Sequence, residues 1–460
     1  MNTKPKLSLK QSIRETTSVC PHCHKNIKAE IISYEHGVFL EKSCDIHGDF
    51  SICLSRTAEL YSNLENYYFS LMKEQQPNCD LEIWTTLNCN MKCSICFFGN
   101  PPADFKIHEP TIEAIENFAI NDKHPFYCLT GAESTSRDDL ADIIRILKKH
   151  KKGVTLNTNG IKLANENYFL QLKNAGLDRV ILQFDGFDPK ISNTLRGNDI
   201  TEQKKKILLN LQNSQMPTVL NSTIAHNVNE HTVKELIDYA LEKPFINGVT
   251  FLTISFDGGA REWKQSEYIM PDEVIDIVCK STSYKVKKEN VYRFQKLHFA
   301  LKAFLKQRAC LYNQLFVLVR NKASFEPIDA FLNLSLAEPW LDKYANSYKK
   351  NSLFSSIFLG IAIVMLCMNF RIFILLIELI VSGLSFYFRT SSYLRTNKLL
   401  ALSFTTGCDP YKLDNDILKN CQNEIIAADN NIHSVRNLGL EGAYIVALEK
   451  RFKDQKANEL

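Results

Sequence analysis

The chain has 460 residues, 45% of them apolar and 23% charged, with a net charge of +4 and 14 cysteines. That apolar share excludes a disordered chain, and the small net charge, with no dense basic patch, gives no reason to expect nucleic acid as a partner. The length exceeds the roughly 250–300 residues at which a single core stops growing. The opening MNTKPKLSLKQSIRE is polar and lacks the apolar stretch of an export signal. A cytoplasmic location is therefore expected, where many cysteines point to metal ligands rather than disulfides.

Residues 1–18 read as a polar leader, and residues 20–55 as a small Cys/His module. The pairs Cys20-x2-Cys23 and Cys44-x2-His47 are two ligand knuckles about twenty residues apart. Three thiolates and an imidazole suit tetrahedral zinc. A zinc ribbon without a catalytic part is the bland reading, and a redox or docking role is its rival. Residues 56–78 read as a helical linker rich in aromatics (Tyr61, Tyr67, Tyr68, Phe69).

From 80 to 270 six short apolar runs, at 81–87, 126–131, 153–160, 179–187, 217–224 and 248–256, alternate with amphipathic stretches such as 138–152, 166–176 and 232–243. Strand alternating with helix predicts an α/β fold with a parallel sheet or barrel. Sites in such a fold gather where strands end and loops begin. Residues 270–350 read as mostly helical, with one strand at 315–319, and 396–460 as ordinary globular sequence with a helical pattern at 440–452. The expected division is 1–78, 79–270 and 271–460.

The first of the six runs leads into Cys89-x3-Cys93-x2-Cys96. Three thiolates hold three irons of a [4Fe–4S] cubane and leave the fourth iron an open position, which S-adenosylmethionine (SAM) can fill with its amino and carboxylate groups. Spacing alone also allows three unrelated cysteines or a structural zinc. Three further segments follow at successive strand ends: Gly131-Ala132-Glu133, Asn157-Thr158-Asn159-Gly160, and Gln183-Phe184-Asp185-Gly186 with Leu195-Arg196-Gly197. Each alone is ordinary turn chemistry; their order behind the cysteines makes the joint signal. Here Gly131-Ala132 lets backbone approach a ligand, Glu133 offers an acceptor for an ammonium group, and Asn157, Asn159, Gln183 and Asp185 are candidates for contacts to carboxylate, ribose or substrate. Ser255, closing the last run, is a further candidate to face the site.

The cysteine motif resembles that of the radical SAM superfamily. Gly131-Ala132-Glu133 resembles its Gly-Gly-Glu motif, with alanine as a departure, and Phe97 is similar to the aromatic that lies near the adenine. The resemblance implies a partial (β/α)6 radical SAM barrel, with the small metal module before it and a mostly helical region after it. Within the superfamily, the branch with the archaeal tetraether lipid synthase and a class D methylase acting on a pterin precursor is the most similar. That rests on Cys20-Pro-His-Cys23, Lys42-Ser-Cys44-Asp-Ile-His47-Gly48-Asp-Phe50, Leu182-Gln183-Phe184-Asp185-Gly186, Leu195-Arg196-Gly197 and 248–256, with weaker echoes at Ala309-Cys310 and at Asp409-Pro-Tyr411 with Cys421.

In that branch the amino-terminal site resembles a rubredoxin-type iron site, which would exchange His47 for Cys53, so zinc and iron both stay open. Cys79, Cys310 and Cys421 fall near positions that resemble auxiliary-cluster ligands. Other expected ligands are absent, 434–438 has no cysteine, and Cys408 is a nearby substitute, so an auxiliary Fe–S cluster stays open. Cys128, Cys279 and Cys367 lie in apolar runs and read as core.

Residues 353–388 form an apolar hairpin: 353–368 is uncharged, Asn369 and Arg371 interrupt, and 372–388 is apolar apart from Glu378. Each half falls just short of the ~18–20 residues of a spanning helix. Lys349 and Lys350 flank one end and Arg389 and Arg395 the other, a basic pattern that fits a membrane-inserted pair entering and leaving on one side. An interfacial anchor and a buried helical pair are the other readings.

The mechanism the resemblance implies is reductive cleavage of SAM to a 5′-deoxyadenosyl radical, fed by a reductant such as a flavodoxin or ferredoxin. The radical abstracts hydrogen from an unactivated carbon. Carbon–carbon bond formation, alkylation or methylation follows, a lipid being one substrate class. Modification of a peptide or small molecule is an alternative, as is a degenerate metal-binding scaffold. No cobalamin-binding segment is evident.

Overall fold

The computed structural model describes residues 10–72, 80–98, 109–321, 324–349, 352–381, 398–421, 424–426 and 432–434. A four-stranded antiparallel sheet comes first, its strands in sequence order: β1 (Gln11–Val19), β2 (Asn26–Tyr34), β3 (Gly37–Cys44) and β4 (Gly48–Ser55). Ile31, Val38, Leu40, Ile52 and Leu54 line its inner face and share a core with Tyr61, Leu64 and Tyr68 of helix α1 (Ala58–Leu71). The expected leader at 1–18 is therefore corrected over its described part, because Gln11–Val19 is a paired strand. Its polarity hid it. The buried positions Thr16 and Ser18 carry hydroxyls that bond to Asp414 (2.8 Å) and to the Leu413 carbonyl (2.6 Å).

The second sheet contains the six expected runs. β5 (Asp80–Thr86), β6 (Phe126–Gly131), β7 (Gly153–Thr158), β8 (Arg179–Gln183), β9 (Thr218–Ile224) and β10 (Ile246–Thr253) lie side by side in sequence order, all parallel. Between them run α2 (Ile112–Asn121), α3 (Leu140–Lys149), α4 (Glu166–Asn174), α5 (Pro189–Arg196), α6 (Thr201–Asn213) and α7 (Val233–Glu242). This is the partial (β/α)6 barrel. One face of its strands is apolar, with Val154, Leu156, Val180, Leu182, Leu220, Val249 and Phe251 all buried, while the alternate face carries Thr155, Asn157, Gln183, Asn221, Thr223 and Thr250. In α3 the buried Leu140, Ile143, Ile144 and Leu147 repeat at i, i+3, i+4 and i+7.

After β10 come α8 (Pro271–Ser281), α9 (Lys288–Phe304), β11 (Asn313–Arg320), β12 (Phe325–Pro327), α10 (Leu334–Tyr348), α11 (Ser352–Cys367), α12 (Arg371–Val381), β13 (Leu399–Thr405), α13 (Asn415–Leu418), β14 (Glu424–Ile426) and β15 (Ile432–Ser434). β13 adds parallel to β10, β11 adds antiparallel to β13, and β14 adds parallel to β5. The carboxy-terminal region thus extends the sheet at both edges as well as supplying helices. The helical pattern expected at 440–452 lies outside the described residues.

Among the described residues no single helix is long and apolar enough to cross a membrane. The apolar pair does not fold back as a hairpin over its described part: Phe354–Cys367 and Arg371–Ile377 meet at 88°. The corner is fixed by polar contacts. The Asn369 amide donates to the Ala330 carbonyl (2.8 Å), the Asn333 N–H to the Leu366 carbonyl (3.2 Å), and Arg371 pairs with Glu326 (2.8 Å) while lying over the Phe331 ring.

Charge ties the first sheet to the second. Arg14 of β1 bonds Glu65 of α1 (2.8 Å), Asp416 (2.9 Å) and Asp414, and both Glu65 and Asp414 are buried. Lys42 of β3 donates to Ser18 Oγ (2.9 Å) and to the carbonyls of Pro410 (2.6 Å) and Tyr411 (3.0 Å). Removing one partner of a buried ion pair leaves the others uncompensated. Arg14→Met is expected to lower the stability measured in urea by about 3 kcal/mol. An unchanged unfolding midpoint would show that this network contributes nothing.

Candidate active site

The cysteine loop lies where β5 ends. Cys89 is exposed while Cys93 and Cys96 are half-buried, and the Cys96 N–H turns back onto the Cys93 carbonyl (3.2 Å). Two other segments grip the loop. Ser94 Oγ donates to the carbonyls of Thr194 (2.7 Å) and Leu195 (3.2 Å) at the end of α5. The Gly259 N–H donates to the Cys96 carbonyl (2.7 Å). A Cβ on Gly259 would stand 2.9 Å from the Ser94 carbonyl oxygen, so only glycine approaches this closely.

Gly131 closes β6 with φ +116°, and a Cβ there would lie 2.4 Å from the Thr86 carbonyl oxygen. The next two N–H groups also serve the cysteine loop, Ala132 donating to the Thr86 carbonyl (2.9 Å) and Glu133 to that of Asn88 (3.1 Å). The Glu133 side chain joins two strand ends. It is buried, and its carboxylate accepts from Thr135 N–H (3.1 Å), Thr135 Oγ (2.6 Å), Thr158 Oγ (2.6 Å) and Asn159 N–H (2.7 Å). Three of these donors meet Oε1 and one meets Oε2, so the carboxylate ties the ends of β6 and β7 together.

The other candidates divide between two arms. Asn159 Nδ2 donates to Asn90 Oδ1 (2.7 Å) and lies 3.9 Å from Cys89 Sγ. Gln183 Nε2 donates to Asp185 (2.6 Å), and Asp185 takes both Nε (2.7 Å) and Nη2 (2.9 Å) of Arg196 and the Thr223 N–H (3.0 Å). The buried Arg196 also faces Cys93, whose thiol burial pushes up and Arg196 draws down. Asn157 bonds Thr130 Oγ (3.2 Å), below the loop. Phe97 sits edge-on to Phe98, itself edge-on to Trp84. Ser255 Oγ is buried against Gly407 and has no hydrogen-bond partner among the described residues.

In the first sheet Cys20, Cys23, Cys44 and His47 converge with all four ligand atoms within 4.8 Å of one another. His47 Nδ1 is 3.5 Å from both Cys20 Sγ and Cys44 Sγ, and Cys23 Sγ is 3.9 Å from Cys44 Sγ. Three thiols and an imidazole around one point fit a tetrahedral ion. Cys53 does not replace His47. Its thiol is turned to the Ser55 carbonyl (3.5 Å) and pushed up to about 12 by burial. Burial pushes the Cys408 thiol well above its usual range, and Cys310 and Cys421 add to that push. Cys79 lies outside the described residues. Cys279 is buried, and Cys128 and Cys367 are half-buried.

Sequence reading missed Lys204. It lies in the run Lys204-Lys205-Lys206 of a helix, which reads as a solvated face. Lys205 and Lys206 are exposed, yet Lys204 is buried and reaches the ends of β7 and β8.

A model of the radical SAM superfamily matches residues 84–240, and one described as the HMPTM N-terminal zinc ribbon domain matches 12–56. A 7,8-dihydro-6-hydroxymethylpterin dimethyltransferase from Methanocaldococcus jannaschii is 31% identical over 309 residues, 61% of each chain. A GTP 3',8-cyclase from Nautilia profundicola is 25% identical over 212 residues, 45% of this chain and 64% of that protein. The match therefore spans less than two thirds of either relative. Among solved structures, Streptococcus suis SuiB bound to precursor peptide SuiA aligns over 50% of each chain, with 17% identity and a TM-score of 0.40. The cysteine loop stands at the carboxyl end of parallel strands, and the span from β5 to α7, residues 84–240, matches the radical SAM superfamily.

Proposed function

We propose that the chain is a radical SAM enzyme that transfers or joins a carbon group at an unactivated carbon, with Cys89, Cys93 and Cys96 holding a [4Fe–4S] cluster. The observation that carries this is the grip on the cysteine loop: Ser94, Gly197 and Gly259 fix its backbone from α5 and from the exit of β10, while Asn159 and Arg196 stand beside Cys89 and Cys93. The donor set fits the cluster. These three thiols do not crowd to one point as the ribbon set does, and a cubane takes one thiolate per iron rather than three on one ion. When bound, the cluster supplies the electron that cleaves SAM to a 5′-deoxyadenosyl radical, a reductant such as a flavodoxin or ferredoxin having delivered it. The chain's part is to bind and orient. Gly131 and Ala132 bring backbone close to the methionine portion, Arg196 presents a fixed cation for a carboxylate, and Phe97 offers a ring face for adenine. Asn157, Asn159, Gln183 and Asp185 hold the polar strand ends around them.

Methyl transfer is the favoured outcome, supported by the dimethyltransferase relative. In this reading the ribbon set Cys20, Cys23, Cys44 and His47 holds zinc rather than iron, because imidazole completes it. Cys310, Cys408 and Cys421 are the thiols an auxiliary cluster would use. Protein reconstituted with iron and sulfide without oxygen, then reduced and given SAM, is expected to form 5′-deoxyadenosine, and the Cys93→Ala chain none. A fully loaded wild type that forms none, with candidate lipids present, would sink the catalytic assignment.

We further infer that the apolar pair α11 and α12 rests on an anionic lipid surface, which favours a lipid among the substrate classes. α11 packs Leu359, Ala362 and Leu366 inward and leaves Ile357, Ile363 and Val364 exposed. Met368, Phe370, Phe373, Ile374 and Ile377 continue the exposed face. The residues that flank the pair in sequence, Lys349, Lys350, Arg389 and Arg395, carry the sign that anionic headgroups require. Phe370→Glu with Phe373→Glu is expected to weaken binding to phosphatidylglycerol-containing vesicles about tenfold or more without changing the fold, and vesicles of phosphatidylcholine alone should bind less. Self-association that rises with concentration, with no vesicle binding, would assign the face to a second copy instead.

A further inference from the structure

The loops after β7 and β8 turn on Gly160 and Gly186, with φ +80° and +112°. Glycine lets a loop turn sharply but does nothing to hold it there, so the position of the residues just before each turn must be fixed from elsewhere. Lys204 of α6 does this. Only 2% exposed, it points its ammonium at Asn159 and Gln183, donating to the Asn159 carbonyl (2.6 Å), to Gln183 Oε1 (2.9 Å) and to the Gln183 carbonyl. An ammonium has three donors and no acceptor, and all three are used.

Each of those contacts continues to a cysteine. From Asn159 the path runs through Nδ2 to Asn90 and past Cys89 Sγ. From Gln183 it runs to Asp185, then through two hydrogen bonds to Arg196, which faces Cys93. One buried cation therefore joins the two polar arms that end beside the first and second cysteines. It also bears on charge. Asp185, Arg196, Glu133 and Cys93 all act on it electrostatically. Lys204 and Arg196 balance the two carboxylates, and an anionic group arriving at the loop would meet net repulsion if the lysine were absent. Burial pulls the ammonium down to about 7, and Asp185 opposes that pull.

We infer that Lys204 is a positioning residue for SAM. It sets the separation of the Asn159 arm and the Asp185–Arg196 arm, and with it the gap that receives the amino and carboxylate groups. This rests on the reading of Cys89, Cys93 and Cys96 as the cluster ligands. The alternative is a staple that serves stability alone, and the two differ in what they predict for a folded, loaded variant.

The test uses the full chain, loaded with iron and sulfide without oxygen, as wild type, Lys204→Met and Lys204→Gln. Iron per chain, thermal midpoint, SAM dissociation constant and the effect of SAM on the electron paramagnetic resonance of the reduced cluster are measured on each. Lys204→Met is expected to keep its iron, to bind SAM about tenfold more weakly or worse, and to lose most of the SAM-dependent change in the spectrum. Lys204→Gln, which keeps two N–H donors without the charge, is expected to fall between. Variants that load iron and bind SAM as the wild type does, per loaded site, overturn the inference while leaving the cluster assignment standing. Loss of the fold in both variants overturns it too, assigning the lysine to stability. A wild type that loads no cluster or binds no SAM overturns the reading of the site, and this inference with it.

Discussion

Buried charge organises the carboxyl end of the second sheet. Glu133, Asp185, Arg196 and Lys204 are each less than a tenth exposed, and an ion taken from water costs several kcal/mol unless it is matched with good geometry. The matches reach across the sheet. Glu133 takes donors from the loops after β6 and β7, Asp185 from α5 and β9, and Lys204 gives its donors to the ends of β7 and β8. These requirements are met together only when four strand ends stand in one arrangement. The cysteine loop then lies across that frame, its backbone held by Gly131, Ala132 and Glu133 on one side and by Thr194, Leu195 and Gly259 on the other.

The strands of this frame were legible because six short runs with apolar residues at alternate positions, separated by amphipathic stretches, leave few alternatives. The cysteine spacing and the glycines were legible because a close backbone approach excludes a Cβ whatever surrounds it. What a polar side chain faces was not. Nothing in the sequence marks Thr135, Thr158 and the Asn159 N–H as donors to Glu133. Lys204 is indistinguishable in sequence from Lys205 and Lys206. Only the rotation of α6 on the sheet buries the first and leaves the other two in water.

The ribbon shows how little local sequence says about docking. Its metal knuckles were evident from spacing, because ligand pairs two residues apart are a property of the turn itself. Its attachment was not, because the partners lie about 400 residues away. Arg14 meets Asp414 and Asp416, and Lys42 meets the carbonyls of Pro410 and Tyr411. The same short segment reaches the exit of β10, where Asp409 accepts the Phe256 N–H (2.9 Å) and Lys412 donates to the Ile254 carbonyl (3.1 Å). Three residues further on, Gly259 touches the cysteine loop.

The carboxy-terminal region inverts what hydropathy suggests. Asp409, Lys412 and Asp414 are 0% exposed, while Phe370 is 72% exposed. Burial there follows the supply of partners rather than polarity. Asp409 and Lys412 pair with each other between the ribbon and β10, and Asp414 receives Arg14 and Thr16. Among the described residues the apolar pair packs against α10 and the 326–333 segment, and the 88° corner at Asn369 turns α12 away from the line of α11. Phe370, Phe373 and Ile377 stay exposed on its outer face because no described element covers them.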